Sequence, residues 1–217
     1  MTSTISLRPA RESDCSTLWA IQCHYINNTV STFLVQPLEL EIYLENFQKM
    51  RQSGLPYIIA CDPSSSEPDK PIGSIYVSPF RGTRPGYKHT VEFSLFCAPD
   101  SVGQGVGSVL LSRLLEVLKH PESWGEEWIS KRWIGEERVM QIIGVMALDE
   151  TGKKGGWALK EWYERSGFEQ VGHLKKDRHC LSAVVSLTSR LSFGRNNIFI
   201  ANSAGPTTFS APSQGVG

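Results

Sequence analysis

The chain has 217 residues, 40% of them apolar, which is enough for one sizeable core. Lys and Arg balance Asp and Glu at 22 each, which argues against bulk electrostatic binding to nucleic acid or a membrane surface. No apolar run reaches the roughly 20 residues a membrane span needs, and the first residues, MTSTISLRPARESD, lack the apolar stretch of a secretory signal. The five cysteines, at 15, 23, 61, 97 and 180, are scattered without metal-type pairing, so reduced thiols in the cytoplasm and no metal are expected.

SLRPARESD reads as a short strand and a turn. Residues 14–27 carry Leu18, Ile21 and Tyr25 at helical spacing, with Ser13 or Asp14 as the cap. A second helical run covers about 38–50. YIIAC and IGSIYV are strand candidates separated by DPSSSEPDKP, which is turn chemistry throughout. HTVEFSLFC is the fourth strand. Residues 120–137 form a polar excursion with Trp anchors, RVMQIIGVMAL is the fifth strand, and GWALKEWYERSGF is a short helix stopped by Gly167. Strands two to four suggest an antiparallel meander within an α+β fold. After Lys176 the pattern degrades. AVVSLTSRLSF still allows a strand, and residues 201–217 have the Ser, Gly and Pro content of a disordered tail.

Between the fourth strand and the next helix stands VGQGVGS, with Gly103, Gly105 and Gly107 in five residues. A helix N-terminus carries partial positive charge and unpaired amides, and glycines before it let a phosphate approach. A Lys-Ser/Thr pair is missing, which disfavours a nucleoside-triphosphate loop, and the spacing G-x-G-x-G departs from the dinucleotide fingerprint. Taken alone, the loop fits an anion site and a tight strand-to-helix packing turn equally.

Residues 5–175 resemble the phosphinothricin acetyltransferase group of the GNAT N-acetyltransferases. The matching pieces are LRPA (7–10), HYI (24–26), TV (29–30), Phe33, GSIYVSPFR (73–81), Arg84, Tyr87, TVE (90–92) and GVGS (105–108), in the family's order and near its spacing. The resemblance implies a GNAT domain over 5–175, followed by a divergent segment over 176–200. Its fold would be a central mixed, mostly antiparallel sheet flanked by helices, with acetyl-CoA between strands four and five. It implies acetyl transfer to the primary amine of a small molecule such as an amino acid or its analogue. The alternatives are acetylation of a peptide or protein N-terminus, a CoA-binding module without turnover, and a chain whose last hairpin does not fold. Partners would be the small amine and, in assembly, a second copy in a homodimer.

The resemblance implies roles for single residues. Leu95, Phe96, Cys97, Gly103, Gln104, Gly105, Val106, Gly107 and Ser108 would hold CoA. Glu92, from TVE, would be the base. Independently, strand alternation puts Glu92 on one face with Thr90 and Ser94 and puts Val91, Phe93 and Leu95 on the other; an exposed strand glutamate is the plainer alternative. Tyr163 stands where many GNAT enzymes protonate the leaving thiolate, and a packing tyrosine fits as well. Tyr25, Arg81, Arg84 and Tyr87 would line the amine pocket, the arginines suiting a carboxylate or phosphinate, unless they are ordinary loop charges. Val102 stands where the family has Gln or Arg, and Gly156 where it has a CoA-binding Asn. Lys153 and Lys154 read as a solvated basic loop more readily than as phosphate ligands. From Asp177 the family's closing aromatic and acidic residues are missing.

Overall fold

The structure is a computed structural model that describes residues 5–82, 84–174 and 183–191. Its elements are β1 (Ser6–Pro9), α1 (Cys15–Asn28), α2 (Leu40–Gln52), β2 (Tyr57–Cys61), β3 (Pro71–Pro79), β4 (Thr90–Cys97), α3 (Val106–Lys119), β5 (Gln141–Leu148), α4 (Trp157–Arg165), β6 (Glu169–Leu174) and β7 (Ala183–Arg190). One mixed seven-stranded sheet runs in the order β1-β2-β3-β4-β5-β7-β6. β2 to β4 form the expected antiparallel meander and β1 adds to it antiparallel, β4 and β5 are parallel, and β7 lies antiparallel between β5 and β6.

All five residues of β2 are buried, because helices cover both faces of this part of the sheet. On one face α3 turns Val106, Leu110, Leu111, Leu114, Val117 and Leu118 inward, at the spacing of a helical apolar stripe. They meet Ile58, Ile75, Val77, Val91, Phe93 and Ile142. Gly73 lets this helix seat closely, since a Cβ there would lie 2.8 Å from Val106 Cγ1. On the other face Leu18 of α1 and Tyr43 and Phe47 of α2 pack with Tyr57 and Ile59. The Trp anchors of the 120–137 excursion behave as expected. Trp133 is buried and donates through Nε1 to the Ser53 carbonyl at 2.9 Å, while Trp124 and Trp128 flank Arg113.

Asp14 does not cap α1 through its side chain, contrary to expectation. Its carboxylate accepts from both terminal nitrogens of Arg8 at 2.8 Å and from the Arg11 N–H at 2.7 Å. A guanidinium satisfies a carboxylate that is 4% exposed better than a neutral amide does. One strand, β6, lies beyond the expected pattern, while β7 falls within AVVSLTSRLSF, where the sequence allows a strand. β6 follows Gly167 at once, and β7 extends the same sheet past residue 175. The segment 201–217 and Cys180 lie outside the described residues. Among the described residues no helix is long and apolar enough to cross a membrane.

Candidate active site

β4 and β5 pair only from Thr90–Phe93 against Gln141–Gly144. Past that point β4 keeps its pairing with β3 as far as Cys97, and β5 keeps its pairing with β7 as far as Leu148. The two strands therefore part with their facing edges unpaired. A cleft of about 630 Å³ opens there. Its walls are the ends of the two strands, and its floor includes Tyr163 and Trp162 of α4.

The glycine loop closes one end. Gly103 and Gly105 have φ of +83° and +86°, a left-handed conformation that excludes ordinary side chains, and open space lies where a Cβ would stand on either. Gly105 is the N-cap of α3, and no side chain caps that helix. The amides of the first turn thus remain available, and with the helix dipole behind them they fit a pyrophosphate. Val106, Gly107 and Ser108 line the cleft, and Ser108 Oγ accepts from Trp162 Nε1 at 3.1 Å. Gln104 does not line it; its side-chain amide donates to the Asp100 carbonyl at 2.7 Å.

Leu95, Phe96 and Cys97 present the open edge of β4 to the cleft. Burial pushes the Cys97 thiol up to about 11, so it is a neutral packing group at ordinary pH. Glu92 lines the cleft near the parting point, and its carboxylate makes no hydrogen bond or ion pair with another described residue. Loss of solvent raises its pKa, and the positive charge of Arg81 partly opposes that. Tyr163 is buried against Phe93 and Trp162, and burial raises its phenol above the ordinary value. Its hydroxyl has no protein partner among the described residues.

The expected amine-pocket residues separate. Tyr25 lines the cleft, but its hydroxyl donates to the Cys97 carbonyl at 2.8 Å, so that hydrogen is not free for a substrate carboxylate. Arg81, at φ +57°, lies over the Phe80 ring at 5.6 Å, close enough to bias Glu92. Arg81, Arg84 and Tyr87 do not line the cleft, and Tyr87 packs edge-on against Phe80 at 5.3 Å. Ser31, Thr32 and Phe33, from the connection between α1 and α2, line it instead. Gly144 and Trp162 also belong to the site, and only an unexplained mid-strand glycine marked the first of them in the sequence.

Gly156 has a steric reason to be glycine. At φ +87° a Cβ would come within 2.5 Å of the Asp149 carbonyl oxygen, so no asparagine fits. Lys154 is paired with Glu161, whose pKa the lysine lowers. Among the described residues no three His, Cys, Asp or Glu side chains cluster as a metal site.

Comparisons with known proteins agree with this geometry. The Acetyltransferase (GNAT) family profile matches residues 18–129. An N-acetyltransferase of Streptomyces griseus is 32% identical over 119 residues, 54% of this chain, and the chain spans only 60% of that protein's length. A phosphinothricin N-acetyltransferase of Alcaligenes faecalis is 31% identical over 170 residues, covering 78% of this chain and 73% of its own. Among solved structures, a phosphinothricin acetyltransferase from Sinorhizobium meliloti in complex with acetyl-CoA superposes with a TM-score of 0.66 at 24% identity, covering 88% of this chain and 89% of that one. A ribosomal-protein-alanine N-acetyltransferase from Brucella melitensis gives 0.66 at 21% identity, covering 85% and 99%. A split mixed sheet with a glycine-rich helix start is the GNAT architecture, and the chain belongs to the GNAT acetyltransferase family.

Proposed function

We propose that this protein transfers acetyl from acetyl-CoA to the primary amine of a small molecule of the amino-acid class. The observation that carries the reading is the parting of β4 from β5, with the glycine loop at one end and Glu92 at the other. The relatives named as phosphinothricin N-acetyltransferases, and an L-amino acid N-acyltransferase of Escherichia coli that is 30% identical over 112 residues, point to the same acceptor class.

Acetyl-CoA supplies an activated thioester carbonyl when bound. The open amides of Val106, Gly107 and Ser108 and the bare backbone of Gly103 and Gly105 hold its pyrophosphate, and the backbone groups of the Leu95–Cys97 edge other than the Cys97 carbonyl, which Tyr25 takes, pair with its pantetheine arm as an added strand would. An alkyl amine is free base to only a few parts in ten thousand at pH 7. Glu92 accepts the proton that the attacking nitrogen must lose, and its solvent-poor position makes its carboxylate a stronger base than an exposed one. The Tyr163 phenol, kept protonated by burial, donates toward the departing sulfur. Arg81, beside Phe80 and within electrostatic reach of Glu92, attracts an acceptor carboxylate or phosphinate. β7 pairs with β5 along the cleft wall, which supports counting residues past 175 in the proposed catalytic unit.

Release of CoA thiol from acetyl-CoA tests this, with the purified chain and a panel of amino acids, phosphinothricin, methionine sulfoximine, polyamines and short peptides. Release that depends on amino acids or their analogues is the expected result. Silence across the panel with acetyl-CoA still bound removes the small-amine acceptor, and absence of binding removes the CoA site.

A further inference from the structure

The closed end of the cleft is an aromatic ring laid over a glycine. Gly144 sits in the interior of β5, where glycine weakens a strand and commonly marks a close approach. Its register partner is Phe93 of β4, the last pair before the strands part. A Cβ built on Gly144 would lie 2.5 Å from Cε1 and 2.8 Å from Cζ of Phe93. Any side chain at 144 would therefore require the ring to move, and its neighbours oppose that. Tyr163 and Phe168 hold it with centroids at 5.6 and 5.5 Å, and they contact each other at 5.6 Å. Phe93 is only 5% exposed, yet it lines the cleft. Packed to interior density between two rings and a glycine backbone, it is a stiff wall.

Its place along the cleft matters. From Phe93 to Cys97 the open edge of β4 runs for about 13 Å at the usual rise of a strand, and the phosphate loop begins beyond Cys97. A thioester whose phosphate end lies on that loop brings its reacting end toward Phe93. Glu92 is the adjacent residue on the opposite face, and Tyr163 touches the ring.

We propose that Phe93, seated on Gly144, limits the acyl group this protein accepts to acetyl. The proposal rests on the reading of the cleft as an acyl-CoA site. The chemistry is the same for any acyl chain: a bond forms from the amine nitrogen to the carbonyl carbon, the carbon–sulfur bond breaks, the nitrogen's proton goes to Glu92, and the departing thiolate takes a proton from the Tyr163 phenol, after which the proton on Glu92 returns to the tyrosinate by way of solvent. Only the room behind the carbonyl carbon separates acetyl from longer groups. An apolar pocket rejects an added methylene by roughly tenfold or more, and a braced ring sits at the upper part of that range.

The test is affinity for CoA, acetyl-CoA and butyryl-CoA, by calorimetry on the whole chain without amine, alongside turnover with an active amine. The parent should bind acetyl-CoA about tenfold or more tighter than butyryl-CoA and turn over only the former at an appreciable rate. Phe93→Ala should close the affinity gap and admit butyryl transfer, with Phe93→Leu in between. Equal affinity and turnover for the two thioesters in the parent overturns the proposal whether or not the variants fold. An unchanged ratio in either folded variant also overturns it, while acetyl-CoA turnover leaves the enzymatic reading standing. Failure to bind CoA itself removes the acyl-CoA reading and this proposal together.

Discussion

Tyr25 donates its hydroxyl hydrogen to the main-chain carbonyl of Cys97 at 2.8 Å and so ties α1 to the end of β4. The next amide, Ala98 N–H, donates toward β3, to the Ile72 carbonyl. In a trans peptide the two groups point opposite ways, which puts the Cys97 carbonyl on the side away from β3. Tyr25 therefore satisfies the last acceptor on the open edge of β4, and its ring packs on Phe96 at 5.6 Å.

Tyr25→Phe keeps that ring and loses one neutral hydrogen bond. Urea unfolding should show a loss of about 1 kcal/mol. Tyr25→Ala removes the ring as well and should cost about 3 kcal/mol or more. Parent-like stability in Tyr25→Phe would mean that water takes the hydroxyl's place.

In the proposed role Glu92 accepts a proton only while ionised, and burial raises the pH at which it ionises. The acid limb of kcat/KM should thus fall above the ordinary carboxylate range. Removing the opposing charge with Arg81→Ala should move it higher still. Glu92→Gln should lower turnover at neutral pH by about 10²–10⁴, the usual worth of a positioned base, with acetyl-CoA affinity kept. Unchanged turnover in that variant assigns the proton to another group.

Gly105→Val forces a β-branched residue to φ +86° and sets its methyls in the open space above the loop. The backbone strain alone is about 1–3 kcal/mol. That strain is common to free and bound protein, so the affinity loss comes from the methyls in the ligand's space; a loss of about 1.4 kcal/mol there would be a tenfold drop in acetyl-CoA affinity. Parent-like affinity in the folded variant would falsify the phosphate role of this loop.

Arg8→Met leaves the Asp14 carboxylate without its bidentate partner, in a site where its side chain is 5% exposed. Breaking a buried pair on one side costs about 3–5 kcal/mol. Chemical denaturation at neutral pH should register that loss, and the double variant with Asp14→Asn should recover part of it. If the single and double variants are equally stable, the Arg11 amide alone satisfies the carboxylate.

Local signals carried much of this structure into the sequence. The glycine loop was readable because a left-handed backbone and a bare helix start have a compositional signature that needs no partner. Glu92 was readable by alternation, since Val91 and Phe93 are buried while Glu92 is not. Long-range relationships were not readable. Asp14 looks like a cap until Arg8 arrives from β1. The run EQVGHL lacks clean alternation, with Gly172 at a register shift, so β6 becomes evident only through its pairing with β7. Tyr25 carries the residue type of a substrate ligand, but its hydrogen is taken by a carbonyl 72 positions away. Arg81, Arg84 and Tyr87 match the family's motif, yet none of them lines the cleft.

The position of β7 also sets when the site comes into being. β5 pairs with β7 along its whole length, Gln141–Leu148 against Arg190–Ala183, and with β4 only as far as Gly144. During synthesis the glycine loop and Glu92 emerge first, while β5 keeps a bare outer edge until Arg190 has left the ribosome. A nascent chain halted before Ala183 therefore carries the groups proposed for the chemistry but lacks a fixed second wall to hold them against. Ligand protection of stalled chains from proteolysis should begin only once β7 is outside the tunnel.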